Sequence, residues 1–437
     1  MPSSADIFYS FPRVIDLSLD RMRAAFALPL RAGRDFEGEA RKMRGGVLPP
    51  TIHIAGTNGK GSTLAFLRAI LEAAGKTCHV YTSPHLVAIE ERYVIAGEQI
   101  TPDALVKYAL QVQEIAKEVP LTIFEAETLA GFLAFADTPA DYLLLETGLG
   151  GRLDATNVVD EKRLTIITPI DYDHKEYLGD DLGIIAIEKC GILRKGTPAI
   201  IARQREEALE AIETTIHHIG AIPMIYGQEW DSYIQNGNLI VQNEETLLDL
   251  NPPKLQGAHQ FENAGVAVRA ALELGIDEAA IAKGLRNATW PARMQFLESG
   301  KYGQMAKATG AELWLDGGHN PHGANAAAQF MKTLTGKSPK PLLLICGLLG
   351  NKDHSGFFEA FAPLKPKTFC VPITSSPNGA NPQDLAQLAK SYGLDATPFD
   401  EFEIALTTAL QSATNPRVLI CGSLYLAGSI LAQNSSK

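Results

Sequence analysis

The feature that most constrains this chain is a glycine-rich loop between an apolar run and a helical pattern. Residues 51–54 are typical of a buried parallel strand, and residues 53–62 read HIAGTNGKGS. The apolar positions that follow recur at helical spacing and end at a glycine: Leu64, Leu67, Leu71, Ala74 and then Gly75. A strand, a loop and a helix in this order predict one βαβ unit, and therefore a sheet with parallel strands.

The loop has the residues of a phosphate-binding site. Glycines let backbone N–H groups surround phosphate oxygens, the helix start adds positive potential, and Lys60 supplies a charge. The predicted ATP-binding residues here are Gly56, Thr57, Asn58, Gly59, Lys60, Gly61 and Ser62. A Walker A motif would have glycine at position 54 and a hydroxyl directly after the lysine, whereas this chain has Ile54 and Gly61. A bound Mg²⁺ ion must therefore find ligands elsewhere, or be reached by Ser62. The alternative interpretation is an ordinary glycine-rich turn.

Further apolar runs extend this unit into an α/β domain, and the pattern restarts near residue 311. Strands of the first domain are also predicted at 77–81, 142–145, 164–168 and 199–201. The second part has predicted strands at 312–315, 342–346, 368–371 and 417–421, and helices at 324–334, 383–392 and 402–410. We predict a parallel-sheet ATPase domain with the phosphate loop over residues 1–295 and a smaller Rossmann-like α/β domain over residues 296–437. The mostly polar segment 295–307 is the predicted linker.

Composition and charge exclude other classes of protein. Of the 437 residues, 46% are hydrophobic and 20% charged, which is enough apolar material for large cores and unlike a disordered chain. The 39 Lys and Arg against 50 Asp and Glu leave a net charge of −11 without a basic block, so no nucleic-acid partner is expected. An anionic ligand must be held by local groups.

Cysteine spacing and the two ends of the chain predict a cytoplasmic protein without a membrane partner. The cysteines form no C-x-x-C pair, which argues against a disulfide framework and a zinc site: Cys78, Cys190, Cys346, Cys370 and Cys421. The first 22 residues lack a basic region followed by an apolar core, so no secretory signal is expected. The uncharged stretch 418–436 is broken by glycine and serine, so we predict a buried strand, a turn and a helix.

Other polar residues follow predicted strands, at the edge where the phosphate loop lies. Glu146 ends an apolar run and precedes a glycine-rich segment, which suits a hard metal ligand beside phosphate. Ser83 and His174 follow two further strands and are candidate Mg²⁺ ligands. The alternatives are a capping carboxylate, a turn hydroxyl and a loop histidine. Lys189, taken alone, is predicted to be a solvated helix lysine.

These segments together resemble a known family. GTNGKGS, TSPHL, FEAET, LETGLGGRLDATN, DHKEYLG, EKCGI, AHQFENA, WPARMQ and DGGHNPHG occur in the order found in folylpolyglutamate synthases and bifunctional dihydrofolate synthases. That family belongs to the ATP-dependent Mur-type amide ligases, and the resemblance runs from about residue 14 to the C-terminus.

The resemblance implies roles for individual residues. Ser83, Glu146 and His174 match the Mg²⁺ ligands, with two ions expected, and Lys189 matches a carbamylated lysine. Asn263 and Arg293 match nucleotide contacts, and Asp316 and His319 match residues that the second domain brings to ATP. The implied catalytic residues are Lys60, Lys189, Asp316 and His319. The segments that match pterin-binding positions are Thr122, Ile123, Phe124 and Glu125, and Leu153, Asp154 and Ala155.

Two points stay open within this resemblance. Phe124 either stacks on a pterin, with Glu125 or Asp154 bonded to its edge, or is a core residue at a helix start with Glu125 in the first turn. Cys190, Gly318 and Ala292 depart from the commonest family pattern, which concerns local packing and the backbone near Arg293.

The predicted reaction is the ATP-dependent addition of L-glutamate to dihydropteroate, to folates, or to both, through an acyl phosphate. Because the ATP ligands fall on both sides of the linker, we expect the two domains to close on ATP. The alternatives are a folylpolyglutamate synthase only, another Mur-type amino-acid ligase, and a non-catalytic nucleotide switch. We expect a monomer.

Overall fold

The computed structural model describes residues 2–16, 18–31, 48–173 and 175–435, without the side chains of 29–31 and 175. Contacts divide the chain into two units: unit 1, Met1–Lys254 with Phe261–Ala288, and unit 2, Leu255–Gln260 with Thr289–Lys437. The two-domain α/β fold is thereby confirmed. The boundary predicted at 295/296 stays a prediction.

Unit 1 contains two sheets and most of the helices. Its strands are β1 (Thr51–Ala55), β2 (Cys78–Tyr81), β3 (Tyr93–Ile95), β4 (Glu98–Gln99), β5 (Tyr142–Glu146), β6 (Leu164–Ile167), β7 (Pro198–Ile201), β8 (Ile222–Ile225), β9 (Trp230–Gln235), β10 (Asn238–Asn243) and β11 (Leu247–Leu250). Its helices are α1 (Ser4–Phe8), α2 (Asp20–Arg31), α3 (Lys60–Ala73), α4 (Pro102–Ala116), α5 (Ile123–Ala136), α6 (Lys175–Leu178), α7 (Leu182–Cys190), α8 (Glu206–Ile219), α9 (Ala258–Glu273) and α10 (Glu278–Asn287).

The larger sheet has the order β4-β3-β2-β5-β1-β6-β7-β8. Strand β1 is buried along its whole length and pairs in parallel with β5 and β6, as expected for an apolar strand covered by helices on both faces. The carboxyl ends of β1, β2, β5 and β6 therefore meet at one edge, which brings the loops that follow them together.

The smaller sheet of unit 1, with the order β11-β10-β9, was not predicted. Its first hairpin turns at Asn236 and Gly237, both with positive φ, between the paired residues Gln235 and Asn238. Asn-Gly between two strands is the strongest short-range hairpin signal. The sequence thus carried a signal for this sheet.

Unit 2 is a mixed six-stranded sheet with helices. Its strands are β12 (Gln295–Phe296), β13 (Glu312–Leu315), β14 (Leu342–Cys346), β15 (Lys367–Cys370), β16 (Ala396–Pro398) and β17 (Arg417–Cys421). Its helices are α11 (Gly300–Ala308), α12 (Pro321–Lys337), α13 (His354–Phe361), α14 (Pro382–Ser391), α15 (Phe402–Gln411) and α16 (Leu424–Asn434). The order is β12-β13-β17-β14-β15-β16, with only β12 antiparallel to its neighbour.

Strand predictions agree well with the structure, and the linker prediction does not. All nine predicted strands are present, with ends that differ by at most one residue. The described part of the predicted stretch 418–436 forms β17, a turn and α16. Within the predicted linker, Gln295–Phe296 pairs with β13, and helix α11 buries Tyr302, Gly303 and Ala306. One buried helix face suffices to fold a polar segment into a domain, so the linker prediction is wrong.

The remaining predictions at this level concern thiols and the membrane. All five cysteines are free and buried, and Cys346 Sγ lies 3.9 Å from Cys370 Sγ in the core of unit 2. Over the described ranges, no helix combines the length and the apolarity that crossing a membrane requires.

Candidate active site

The loop between β1 and α3 depends on two glycines. Gly56 and Gly59 have φ of +147° and +88°, and Gly59 is the N-cap of α3. A Cβ on Gly56 would lie 1.9 Å from Thr168 Oγ1, and one on Gly59 would lie 2.3 Å from Asn263 Oδ1. Both positions therefore require glycine for conformation and for space.

Not every backbone donor of this loop faces a phosphate position. The N–H groups of Thr57 and Asn58 donate to Pro169 O at 3.0 and 3.2 Å, so they are engaged with the loop after β6. The first hydrogen bond of α3 runs from Thr63 N to Gly59 O at 2.8 Å. The N–H groups of the first turn thus have no acceptor within the helix, and anion-binding capacity is concentrated there. The assignment of the whole loop to ATP stays a prediction.

Two lysines share one carbonyl of the loop. Lys60 Nζ donates to Gly56 O at 3.1 Å, and Lys189 Nζ, from the last turn of α7, donates to the same oxygen at 2.9 Å. Burial, followed by the nearby charge of Lys60, lowers the pKa of Lys189 to about 7. Lys189 is only 5% exposed, so its interpretation as a solvated helix lysine is wrong. Near neutral pH a large share of this amine is neutral.

Glu146 ends β5 directly beside the phosphate loop. It lies opposite Ile54 of β1 in the sheet register and is 5% exposed. The turn that follows it is shaped by Asp154, whose Oδ2 accepts from Gly148 N at 2.9 Å and Leu149 N at 2.8 Å. Burial raises the pKa of Asp154, while these hydrogen bonds favour its ionised form. Asp154 thus organises the turn after Glu146.

Of the other two predicted metal ligands, the structure describes Ser83. Ser83 is half-buried in the loop after β2, and His174 lies outside the described residues. In the described parts of the chain, no group of three His, Cys, Asp or Glu side chains is arranged to hold a metal ion. Of the predicted set, the carboxylate of Glu146 and the hydroxyl of Ser83 are the hard oxygen donors that the structure places after neighbouring strands.

The loop that carries Ser83 is held by residues that the sequence analysis did not identify. The carboxylate of Glu91 accepts three backbone N–H groups from 86–88 at 2.8 to 2.9 Å. Arg92 Nε donates to His85 Nδ1 at 3.0 Å, and its Nη1 lies 2.7 Å from Glu127 Oε2. Burial and the Arg92 charge lower the pKa of His85 to about 4, so this ring is neutral.

The segments predicted to bind a pterin form an apolar surface. Their carboxylates, Glu125 and Asp154, already accept hydrogen bonds from other groups of the protein. Ile123, Phe124 and Leu153 are partly buried against the core that contains Ala155, and a Cβ on Gly148 would lie 2.3 Å from Phe124 Cζ. Glu125 closes a capping box with Thr122 and accepts from Arg21 Nη2 at 3.1 Å. Glu125 thus has the first-turn position that the alternative interpretation described.

In unit 2, Asp316 lies in the turn after β13. Its Oδ2 accepts from Met294 N at 2.8 Å and its Oδ1 from Gly318 N at 2.7 Å. Burial raises the pKa of Asp316, and the charge of Arg293 opposes this. His319 Nδ1 lies 3.1 Å from Gly317 O. Asp316, His319 and Arg293 are therefore grouped within one unit.

The three departures from the family pattern have local explanations. Ala292 has a φ of +53°, where glycine would be unstrained, and Met294 has a φ of +42°. A Cβ on Gly318 would lie 2.8 Å from Asp316 Oδ1, so glycine gives room for the hydrogen bond. Cys190 is fully buried in a hydrophobic cluster of unit 1.

The sequence matches known proteins over nearly its whole length. Residues 293–424 match the family model for the Mur ligase, glutamate ligase domain. A dihydrofolate synthase/folylpolyglutamate synthase from Escherichia coli (strain K12) is 31% identical over 425 residues, 96% of this chain and 92% of the relative. The chain belongs to the dihydrofolate synthase/folylpolyglutamate synthase family. The resemblance drawn from the motifs is thereby confirmed.

Solved structures of this family share the fold. Escherichia coli FolC in complex with DHPP and ADP has a TM-score of 0.84 at 29% identity, over 99% of this chain and 98% of that one. A bifunctional folylpolyglutamate synthase/dihydrofolate synthase with Mn, AMPPNP and L-glutamate bound has a TM-score of 0.82 at 29% identity, with the same coverage. The predicted fold class is confirmed by these neighbours.

A cavity in unit 1 adjoins the phosphate loop of this family member. Its lining includes Pro169, Arg203, Tyr226, Trp230 and Asn263. Pro169 is the residue whose carbonyl binds the loop, and Asn263 packs on Gly59. The Arg203 guanidinium lies 4.6 Å from the centre of the Tyr226 ring. Apart from Asn263, none of these residues was identifiable from the sequence.

Sequence reasoning also missed the roles of the LDATN residues in this family motif. His53 Nε2 lies 2.9 Å from Thr156 Oγ1, and the Thr156 hydroxyl donates to Asp154 Oδ1. Because that hydroxyl has a single proton, His53 must be the donor in its own bond to Thr156. Burial lowers the pKa of His53 well below its ordinary value, in agreement with a neutral ring. The motif therefore ties the turn after Glu146 to the strand that leads into the phosphate loop.

Proposed function

We propose that this chain joins L-glutamate to dihydropteroate and to folates with ATP, through an acyl phosphate. The observation that carries the proposal is the pair of amines at Gly56 O: Lys60 and Lys189 meet at the phosphate loop, directly beside the strand that ends in Glu146. The family relationship and the neighbour with AMPPNP and L-glutamate bound support it.

The reaction has two balanced steps. The substrate carboxylate attacks the terminal phosphorus of ATP, which forms an acyl phosphate and releases ADP. The amine of glutamate then attacks the acyl carbon, phosphate departs with the electron pair of the C–O bond, and the nitrogen loses a proton. Lys60 and the N–H groups at the start of α3 stabilise charge on the transferred phosphoryl group.

Mg²⁺ is the metal that we assign to this site. Glu146 and Ser83 supply hard oxygen ligands, and the resemblance adds His174 and a second ion. When bound, the metal neutralises phosphate charge and aligns the substrate carboxylate. The Mn in the solved relative supports a divalent ion.

Lys189 is the residue that we expect to be carbamylated. Its amine nitrogen forms a bond to the carbon of dissolved CO2 and loses a proton, which gives a carbamate. Only a neutral amine has the lone pair for this step, and burial keeps a large share of Lys189 neutral near pH 7. The new carboxylate would face the phosphate loop, where it supports the metal site.

We also propose positions for the substrates within each unit. In unit 1, we assign the surface beside Asn263 to the nucleotide, because Asn263 packs on Gly59 and Pro169 O binds the phosphate loop. The apolar surface of Ile123, Phe124 and Leu153 suits a flat pteridine ring. The other members of the predicted segments, Thr122, Glu125, Asp154 and Ala155, hold this surface in place. We also assign Arg293, Asp316 and His319 of unit 2 to ATP.

One experiment tests the proposal. The protein is incubated with ATP, Mg²⁺ and L-glutamate, with 7,8-dihydropteroate in one reaction and tetrahydrofolate in another, and products are identified by mass. We expect a glutamate adduct in both. Product from tetrahydrofolate alone would identify a folylpolyglutamate synthase only, and glutamate-independent turnover would contradict the proposal. We further propose a cytoplasmic monomer, with the five free thiols as support for the compartment.

A further inference from the structure

Lys162 is a buried amine that the proposed reaction does not use. It precedes β6 and is 9% exposed. Its Nζ donates to Asn157 Oδ1 at 2.7 Å and to Ile192 O at 2.8 Å, so both acceptors are neutral groups. Lysine is rarely buried without a charged partner, because removing its charge from water is costly. A lysine at this position therefore calls for an explanation beyond packing.

The hydrogen bonds of Lys162 match a neutral amine. A neutral amine has two N–H groups, and this one has two acceptors within 2.8 Å. Burial, followed by the charge of Arg194, lowers the pKa of Lys162 to about 6. At neutral pH the group is thus mostly an uncharged double donor between two parts of the chain.

Through Asn157, Lys162 controls where a second pair of hydrogen bonds is made. Asn157 Oδ1 accepts from Lys162 and also from Arg194 Nη2 at 3.0 Å. With two donors on its oxygen, the carboxamide cannot flip, so its Nδ2 faces Arg152 O and Gly191 O, each at 3.0 Å. Lys162 and Arg194 together therefore fix the orientation of the amide that joins these two carbonyls.

These carbonyls flank the turn of α7 that carries Lys189. Gly191 follows Lys189 by two residues, and Arg152 N donates to Glu188 O at 2.8 Å. The segments touch closely, since a Cβ on Gly151 would lie 2.6 Å from Lys189 O. The turn after Glu146 and the end of α7 are thus joined as one body, from which Lys189 Nζ reaches Gly56 O.

We propose that Lys162 is a positioning residue for Lys189, and that it acts through Asn157 and Ile192 on the last turn of α7. Lys162 keeps that turn in the position from which the Lys189 amine can donate to Gly56 O of the phosphate loop. It touches neither substrate nor metal. The inference rests on the role proposed above for Lys189.

The test compares Lys162→Met with a control, Lys195→Met. The control removes an exposed lysine from the segment that follows α7, close to Ile192. For Lys162→Met we expect kcat to fall about tenfold, with KM for ATP and L-glutamate within about twofold of wild type. The thermal midpoint should fall modestly, because Ile192 O loses a buried hydrogen-bond donor. In ¹³C-bicarbonate, the carbamate signal of Lys189 should weaken. Lys195→Met should match wild type in all four measurements.

A second variant separates the amide from the lysine. Asn157→Asp keeps the shape and the acceptors for Lys162 and Arg194, but it replaces the two N–H groups that face Arg152 O and Gly191 O. We expect the same loss of kcat and of carbamate signal. Wild-type kcat and signal in Lys162→Met would overturn the proposal, as would a lowered midpoint with unchanged kcat per folded molecule.

The readouts also separate this inference from the proposed function. A wild-type protein that shows the ¹³C signal but forms no glutamate adduct would refute the proposed reaction only, and Lys162 would then be judged by the signal. A wild-type protein with neither activity nor signal would overturn both.

Discussion

Each unit has a turn at the carboxyl edge of a largely parallel sheet, and each turn lies beside a buried ionisable group. The group is basic in unit 1 and acidic in unit 2. In unit 1, the amine of Lys189 lies beside the loop after β1, and burial lowers its pKa to about 7. In unit 2, the carboxylate of Asp316 lies in the turn after β13, and burial raises its pKa. Burial thus favours the neutral form of both groups, an amine at the edge of one sheet and a carboxyl at the edge of the other.

The hydrogen bonds around the two groups differ in a way that matters for function. Asp316 accepts two backbone N–H groups, from Met294 and Gly318, so its carboxylate holds its own turn together. The amine of Lys189 donates to Gly56 O, which also accepts from Lys60. Asp316 therefore stabilises a turn within unit 2, whereas Lys189 joins α7 to the phosphate loop.

The largest expected effect is that of Lys189→Ala. Loss of the amine removes the proposed carbamate, so we expect kcat to fall by at least about 100-fold while the protein stays folded. Initial rates with both pterin substrates measure the loss, and circular dichroism checks the fold. Lys195→Ala is the matched control on the surface. Wild-type turnover in Lys189→Ala would remove the carbamate from the account.

Asp316→Asn tests the other edge. The amide keeps one acceptor but places N–H groups against a backbone N–H donor, so we expect unfolding free energy to fall by about 1–3 kcal/mol. If Asp316 also serves ATP, kcat/KM for ATP falls by about tenfold or more at temperatures where the variant is folded. Exposed Asp400→Asn is the control. Unchanged stability would show that the two N–H bonds do not hold the turn.

The pH dependence of stability should have opposite signs at the two edges. The unfolded chain keeps the Lys189 proton up to about pH 10.5 and the folded chain loses it above about 7, so this group favours folding increasingly as pH rises from 7 to 10.5. Folding raises the pKa of Asp316 from 3.8. Its contribution to the free energy of unfolding is therefore fully present below pH 3.8 and is lost as the pH rises through the pKa of the folded state.

Denaturant titrations at several pH values measure this difference. Relative to wild type, Lys189→Met should lose the stability gain between pH 7 and 10.5. Asp316→Asn should lose the stability decline above pH 3.8. Parallel pH profiles for both variants and wild type would contradict the opposite signs.

The smallest expected effects come from two alanines with left-handed backbone, one in each unit. Ala96 has a φ of +48° and Ala292 a φ of +53°. Ala96→Gly and Ala292→Gly should each raise unfolding free energy by about 0.5–1 kcal/mol, since glycine has no Cβ penalty there. Helical Ala211→Gly should lower it by about 1 kcal/mol. A loss of stability in both turn variants would show that their backbones carry no strain.

The sequence predicted elements whose signals are local and missed those that depend on tertiary contacts. Apolar runs located all nine predicted strands, because buried parallel strands leave a continuous pattern. The segment 295–307 was predicted to be a linker because its composition is mostly polar. One buried face of α11 is enough to fold it into unit 2. The hairpin at Asn236 and Gly237 was detectable and was overlooked.

The site shows the same limit at the level of side chains. Lys60 and Glu146 were identifiable from a loop motif and a strand end. By contrast, nothing in the sequence places Lys162 against Ile192 O, because that contact depends on how two distant segments pack. Burial decides the state of Lys189, and burial appears only once the chain is folded.

The most direct test of the central claim follows one oxygen atom. The protein is given ATP, Mg²⁺, L-glutamate and 7,8-dihydropteroate with ¹⁸O in its carboxylate, and the released phosphate is analysed by mass. If the carboxylate is phosphorylated and the acyl phosphate is attacked at carbon, each phosphate carries one ¹⁸O, and one glutamate adduct accompanies it. Unlabelled phosphate, or labelled phosphate without adduct, would contradict the account.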